Sequence, residues 1–233
     1  MKKAIVLIGT AALLSFPQTS GAQWVQTGGP PGGFILSLAV NGTNIFAGTM
    51  GGGVFLSTNG GRNWTAVNTG LPPVRGGRCL AAIGTNLFAR THDSGVFMSR
   101  NNGKSWKAVN TGLPGETPIT CLARSEMTLV AGTDGDGIFL SADEGRSWRA
   151  GGSGLPAATR VSCLAASGKN LIAGTDGGGV FLSTNSGKRW TVVNSGLPEK
   201  ILVTCLAVNG PNLFAGTDGQ GVWRLALSDL QPE

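Results

Sequence analysis

Trp64, Trp106, Trp148 and Trp190 stand 42 positions apart, and so do Cys79, Cys121, Cys163 and Cys205. A repeat of this length constrains the chain more than any single motif. Each repeat is one small structural unit that cannot bury its apolar surface alone, so successive units must stack. Within the unit that starts at Cys163, four short apolar runs alternate with turn residues: "CLAAS", "NLIAGT", "GVFLST" and "WTVVN". They are separated by Gly and Asn, by "DGG", by an octapeptide, and finally by "SGLP". Runs of this length, rich in Val, Leu, Ile and Phe and bounded by Gly, Asn, Asp or Pro, read as strands. No stretch from residue 23 onward has the 3.6-residue apolar period of a helix.

Four strands in about 42 residues is the size of one propeller blade. The first three strands occur five times, starting near Leu36, Cys79, Cys121, Cys163 and Cys205, whereas the Trp-led fourth strand follows only the first four. The segment "QWVQTGGP" (23–30) has a Trp and a trailing Gly-Pro with no preceding strands. An all-β, five-bladed propeller of four-stranded antiparallel blades is therefore expected, its ring closed by the N-terminal strand, which would remove both sheet edges. A monomer is expected. With 39 Gly, no Tyr, one His and 13% charged residues, the composition suits many short strands and tight turns.

The first residues read "MKK", then the apolar run "AIVLIGTAALLSF", then a small-residue site at Ser20 and Ala22. This is the pattern of a cleavable secretory signal, giving residues 1–22 as signal and 23–233 as one domain, periplasmic or secreted. No later stretch is long and apolar enough to span a membrane. Removing Lys2 and Lys3 leaves 16 basic against 12 acidic residues, a net charge of +4. The four cysteines hold one repeated structural position, too far apart for bridges, which need Cα atoms within about 7 Å. They are expected as buried free thiols. Their spacing lacks the Cys-x-x-Cys of a zinc site and no His repeats with them, so no metal is expected. No cofactor is expected either: phosphate-loop signatures are absent.

The octapeptides are "STNGGRNW" (57–64), "SRNNGKSW" (99–106), "SADEGRSW" (141–148) and "STNSGKRW" (183–190). Asn59, Asn101, Asp143 and Asn185 can accept backbone N–H groups within a turn. Gly61, Gly103, Gly145 and Gly187 allow positive φ. Each Trp can fold back over its hairpin. The octapeptides are thus expected to be structural staples. The spacing Ser-x-[Asp/Asn]-x-Gly-x-x-Trp resembles the Asp-box, or bacterial neuraminidase repeat (BNR), family, and the chain as a whole resembles a YVTN/BNR-like exported repeat protein. The resemblance implies that the box is a structural element on the blade periphery. It is shared by sialidases, other glycoside hydrolases, sorting receptors, lectins and photosystem II assembly factors, so it implies no single activity.

In an antiparallel blade, the turns after strands one and three lie on one face of the ring, and those after strands two and four on the other. The turns after strand two put Met50, His92, Asp134, Asp176 and Asp218 in equivalent places. Two readings are open: a ring mouth lined by carboxylates, or Asp residues that cap tight turns. The second unit departs most from the repeat, with Arg90, His92 and Asp93, preceded by Arg75 and Arg78. Departures of this kind, which the repeat itself does not require, mark it as a candidate binding site. The mouth face has a net charge of −2 and the opposite, octapeptide face +7. Arg62, Lys104, Arg146 and Lys188 form a candidate basic rim on that second face, suited to an anionic glycan or lipid surface. Export and the lack of a basic-aromatic stripe argue against nucleic acid.

Sialidases, in the resemblance, use a Tyr nucleophile, and this chain has no Tyr. Glycoside hydrolysis needs two carboxylates in different environments about 5–9.5 Å apart, and the repeated Asp residues share one environment. No catalytic residue is assigned. The expected function is a non-catalytic exported module that binds a glycan or a protein. The alternatives are a glycoside hydrolase with non-standard residues and a scaffold like the photosystem II assembly factors. Trp223, which replaces the Phe of other units, is expected in the core.

Overall fold

The computed structural model describes residues 26–31, 34–73, 79–91, 95–115 and 118–230. The first unit has strands β1 (Ile35–Asn41), β2 (Asn44–Thr49), β3 (Gly53–Ser57) and β4 (Thr65–Ala66). The second has β5 (Cys79–Ile83), β6 (Asn86–Thr91), β7 (Gly95–Ser99) and β8 (Lys107–Ala108). The third has β9 (Ile119–Ser125), β10 (Thr128–Thr133), β11 (Ile138–Ser141) and β12 (Arg149–Ala150). The fourth has β13 (Val161–Ser167), β14 (Asn170–Thr175), β15 (Gly179–Ser183) and β16 (Thr191–Val192). The fifth has β17 (Val203–Asn209), β18 (Asn212–Thr217) and β19 (Val222–Ala226), then a 3-10 turn at Leu227–Asp229. Each unit is an antiparallel meander, so the five sheets match the repeat one to one.

The fourth strands are shorter than the run "WTVVN" suggests, because a side chain replaces the ladder. Val193 N–H still donates to the Val180 carbonyl. The return bond, from Val180 N–H, goes to Asn194 Oδ1 at 2.7 Å. Asn68 and Asn110 do the same for Val54 and Val96. The backbone is then free to turn away toward the next unit.

The core lies between units. Phe46, Val54 and Val67 of the first unit pack on Leu80, Leu87, Phe97 and Trp106 of the second, and the same pairing of faces recurs between later neighbours. Packing passes from β1 to β5, β9, β13 and β17, giving a propeller-like arrangement of sheets.

The expected ring closure is not found among the described residues. The fifth sheet has three strands, and no comparable packing joins β17 back to β1. Residues 26–30 form no strand. Instead they lie against the first unit: a Cβ added at Gly28 would sit 2.9 Å from the Arg62 carbonyl, and one at Gly61 would sit 3.2 Å from Thr27. Residues 23–25 of the expected closing strand lie outside the described residues. The contact is two residues out of step with the next boundary, where Gly103 meets Val67 and Gly70 meets the Trp106 carbonyl. Gly70, Gly112 and Gly154 each face the backbone carbonyl of the next Trp, with 2.0–2.3 Å left for a Cβ, whereas no described atom lies within 4 Å of that position at Gly196.

The cysteine expectation needs correction at one end. Cys121, Cys163 and Cys205 are free, but only Cys163 is buried; Cys121 is half-buried and Cys205 is exposed. The thiol sits over a partner-strand glycine, with 2.5–2.6 Å between Sγ and a Cβ built at Gly132, Gly174 or Gly216. Its other cover is the next unit, which β17 lacks among the described residues. Trp223 is half-buried and packs in the core between the fourth and fifth units, as expected.

Candidate functional site

At the mouth the first strands of the first, third, fourth and fifth units start with a bulge. In β13, Val161 pairs with Thr175 and Cys163 with Gly174, leaving Ser162 as the extra residue. The same shift singles out Leu36, Thr120 and Thr204. Such bulges re-aim a side chain out of the ladder. Thr120, Ser162 and Thr204 accordingly line one cleft of about 310 Å³ together with Arg90, Arg160, Asp176 and Leu202.

Arg90 takes the place held by Gly132 and Gly174 in later units, where a Cβ would meet a cysteine sulfur. Its Nε is buried and has no hydrogen-bond partner among the described residues. A buried guanidinium N–H left unpaired is costly unless something accepts it. Arg160 approaches Asp134, with Nε 3.5 Å from Oδ1. The cleft therefore holds two guanidinium groups, the Asp176 carboxylate and three hydroxyls, of which Thr120 donates to the Val161 carbonyl and Thr204 to the Gly216 carbonyl, leaving both free to accept.

The repeated Asp residues do not cap their turns with their side chains. The preceding Thr does that work: Thr49, Thr91, Thr133, Thr175 and Thr217 each donate Oγ1–H to the glycine carbonyl four residues on, at 2.8–3.2 Å. The Asp contributes its main-chain N–H, which donates to the linker before its own unit: Asp134 to Pro118, Asp176 to Arg160 and Asp218 to Leu202. This leaves the three carboxylates exposed.

Of the candidate residues, Arg90 and Asp176 border the cleft and Asp134 joins it through Arg160. Asp218 does not line it. Arg75, Arg78, His92 and Asp93 lie outside the described residues. Thr120, Ser162 and Thr204 escaped the sequence reading, which assigned them no role. Their signal was a polar residue two places before "LA" at the head of an otherwise apolar strand. Among the described residues, no group of three His, Cys, Asp or Glu is placed to hold a metal, and no helix is long and apolar enough to cross a membrane.

On the opposite face the octapeptides are turn staples. Ser57 Oγ donates to Asn59 Oδ1 and accepts from Gly61 N–H, while Asn59 Oδ1 also accepts from Asn63 N–H. The other three boxes repeat these bonds. Hydrogen bonds from the Ser147 hydroxyl and N–H, and from Ser141, hold the Asp143 carboxyl down to about 2. Arg62, Lys104, Arg146 and Lys188 are exposed on these turns. Arg146 shares a groove of about 480 Å³ with Arg100 and Lys107, and Arg100 is paired with Glu144 at 2.9 Å.

No family model matches the sequence, and no curated protein matches it. Solved structures do share the fold. The computationally designed protein Ika8 superposes with a TM-score of 0.64 at 14% identity, over 85% of this chain and 60% of its own. A GH74 xyloglucanase from Xanthomonas campestris gives 0.64 at 16% identity, over 83% of this chain and 37% of its own. YCF48 from Cyanidioschyzon merolae gives 0.57 at 17% identity, over 80% and 67%. At these identities the likeness is one of fold. The chain spans from 27% to 60% of the lengths of the first three structures it matches.

Proposed function

We propose that the protein is an exported, non-catalytic binding module of the Asp-box propeller type, and that its mouth cleft takes a glycan bearing a negative charge. The observation that carries this reading is the buried Nε of Arg90, unpaired among the described residues, beside a cleft lined with hydroxyls. A sugar carboxylate or sulfate would accept from Arg90, and ring hydroxyls would bond Thr120, Ser162 and Thr204. Asp176 would accept from a sugar hydroxyl. Hydrolysis is disfavoured because Asp134 is occupied by Arg160, which leaves Asp176 as the carboxylate on the cleft among the described residues. Residues 1–22 would direct export, and His92, Asp93, Arg75 and Arg78 would extend the site from the second unit.

The test is a glycan array with acidic and neutral oligosaccharides, followed by calorimetry on any hit. Acidic glycans should bind, and Arg90→Ala should weaken them at least tenfold, as expected for a lost charge-assisted hydrogen bond. Failure of every glycan, with capture of a protein instead, would move the reading to a protein-binding scaffold. Turnover of an aryl glycoside would replace it with an enzyme.

A further inference from the structure

Of the large apolar side chains exposed among the described residues, seven stand on or beside the strands of the two end units: Phe34, Ile35, Leu36, Leu38, Val40, Met50 and Val222. Several of their equivalents at interior boundaries are covered. Leu38 is 63% exposed, whereas Leu80, one unit on, is 7% exposed. Val222 is 74% exposed, whereas Val54 and Val96 are fully buried. Phe214 is half-buried where Phe46 and Phe88 are in the core. Repeat arrays ordinarily end in capping units with polar outer faces. Among the described residues, this one carries exposed apolar side chains on the outer face of each end unit.

The two faces are complementary. At every interior boundary, the side of a unit bearing the equivalents of Phe214 and Val222 packs on the side of the next bearing the equivalents of Leu38 and Val40. The fifth unit presents the first kind of face and the first unit the second, yet β17 is not packed on β1. We propose that the protein self-associates head-to-tail, the outward face of β18 and β19 of one copy seating on the β1 face of a second copy. The junction continues the boundary already repeated within the chain. It also brings residues 26–30 of the second copy beside β19, whose outer edge has no partner strand among the described residues. Arg224 stands where Leu140 and Leu182 occupy interior units. At the rim of the face it can lay its stem on the partner and keep its charge in water. Such a contact uses two different patches, so it builds closed rings or open chains rather than an isologous dimer.

Sedimentation velocity of the full chain across two decades of concentration tests this, with Leu38→Glu and Val222→Asp as variants. Both side chains are exposed, so neither change places a charge in the core of a single copy. The wild type should sediment as two or more copies at high concentration, and each variant should weaken association at least tenfold. Each variant keeps one intact end, so an equimolar mixture should form a heterodimer that neither forms alone. A wild type that stays monomeric at every concentration overturns the proposal, as does association that survives both substitutions or a mixture that fails to pair.

Discussion

The indole Nε1–H of Trp106 donates to the main-chain carbonyl of Val67 at 2.7 Å, so the staple of the second unit is fastened to the fourth strand of the first. Trp148 does the same to Val109 at 2.8 Å. Trp64 and Trp190 instead bond the glycine carbonyl of their own box. The box therefore joins units as well as closing a hairpin. Its main-chain bonds follow the same line, since Trp106 N–H donates to Thr69 and Trp148 N–H to Thr111.

Trp106→Ala should therefore cost about 3–5 kcal/mol, the range for a buried large aromatic. Trp106→Phe keeps most of the burial but orphans the Val67 carbonyl, and should cost about 1–3 kcal/mol. Trp64→Ala should cost less than Trp106→Ala, because Trp64 is only half-buried and bonds within its own turn. Urea unfolding of the three variants measures the order. Equal losses at positions 64 and 106 would contradict the inter-unit role.

Acid should weaken the third box selectively. The Asp143 carboxyl lies at about 2 against an ordinary value of 3.8. A depressed carboxylate stabilises the folded chain above its unfolded value and loses that contribution as pH falls through its folded one. The melting temperature of the wild type should thus fall relative to Asp143→Asn between about pH 4 and pH 2. Asp143 is half-buried at the surface, and solvent screening keeps the effect small. Parallel melting curves of the two proteins across that range would show that the hydrogen bonds of Ser147 and Ser141 do not hold in solution.

The cysteines should separate by reactivity. Burial, aided by the neighbouring Cys121, pushes the Cys163 thiol up to about 12, and Cys205 is exposed. Iodoacetamide at mildly alkaline pH should label Cys205 in the folded protein and Cys163 only on unfolding. Mass spectrometry of tryptic peptides reads the result. Equal labelling of the two would mean that the fourth and fifth units do not pack as described.

Much of this architecture was legible in the chain. The spacing of Trp64 to Trp190 marked one unit per sheet, and the Ser, Asn and Gly of each octapeptide marked a turn rather than a site. The candidate site was less legible. Arg90 stood out because it breaks a run of glycines, but Thr120, Ser162 and Thr204 look like ordinary strand residues. Their convergence depends on a register shift between two strands, and nothing in the local sequence announces it. Asp134, Asp176 and Asp218 stood between two readings, mouth lining and turn cap, because both Asp and the preceding Thr can hold a turn, and only the geometry gave the turn to Thr.

The sequence by itself determined the repeated unit, its strand order and its stapled turns, since these depend on contacts within about forty residues, shown by the period of its Trp residues. Only the tertiary structure decided how the units sit beside one another at the ends. Leu38, Val222 and Cys205 have the same local pattern as their interior equivalents. What differs is the presence of a neighbouring unit, and burial depends on the neighbour, not on the residues that await it.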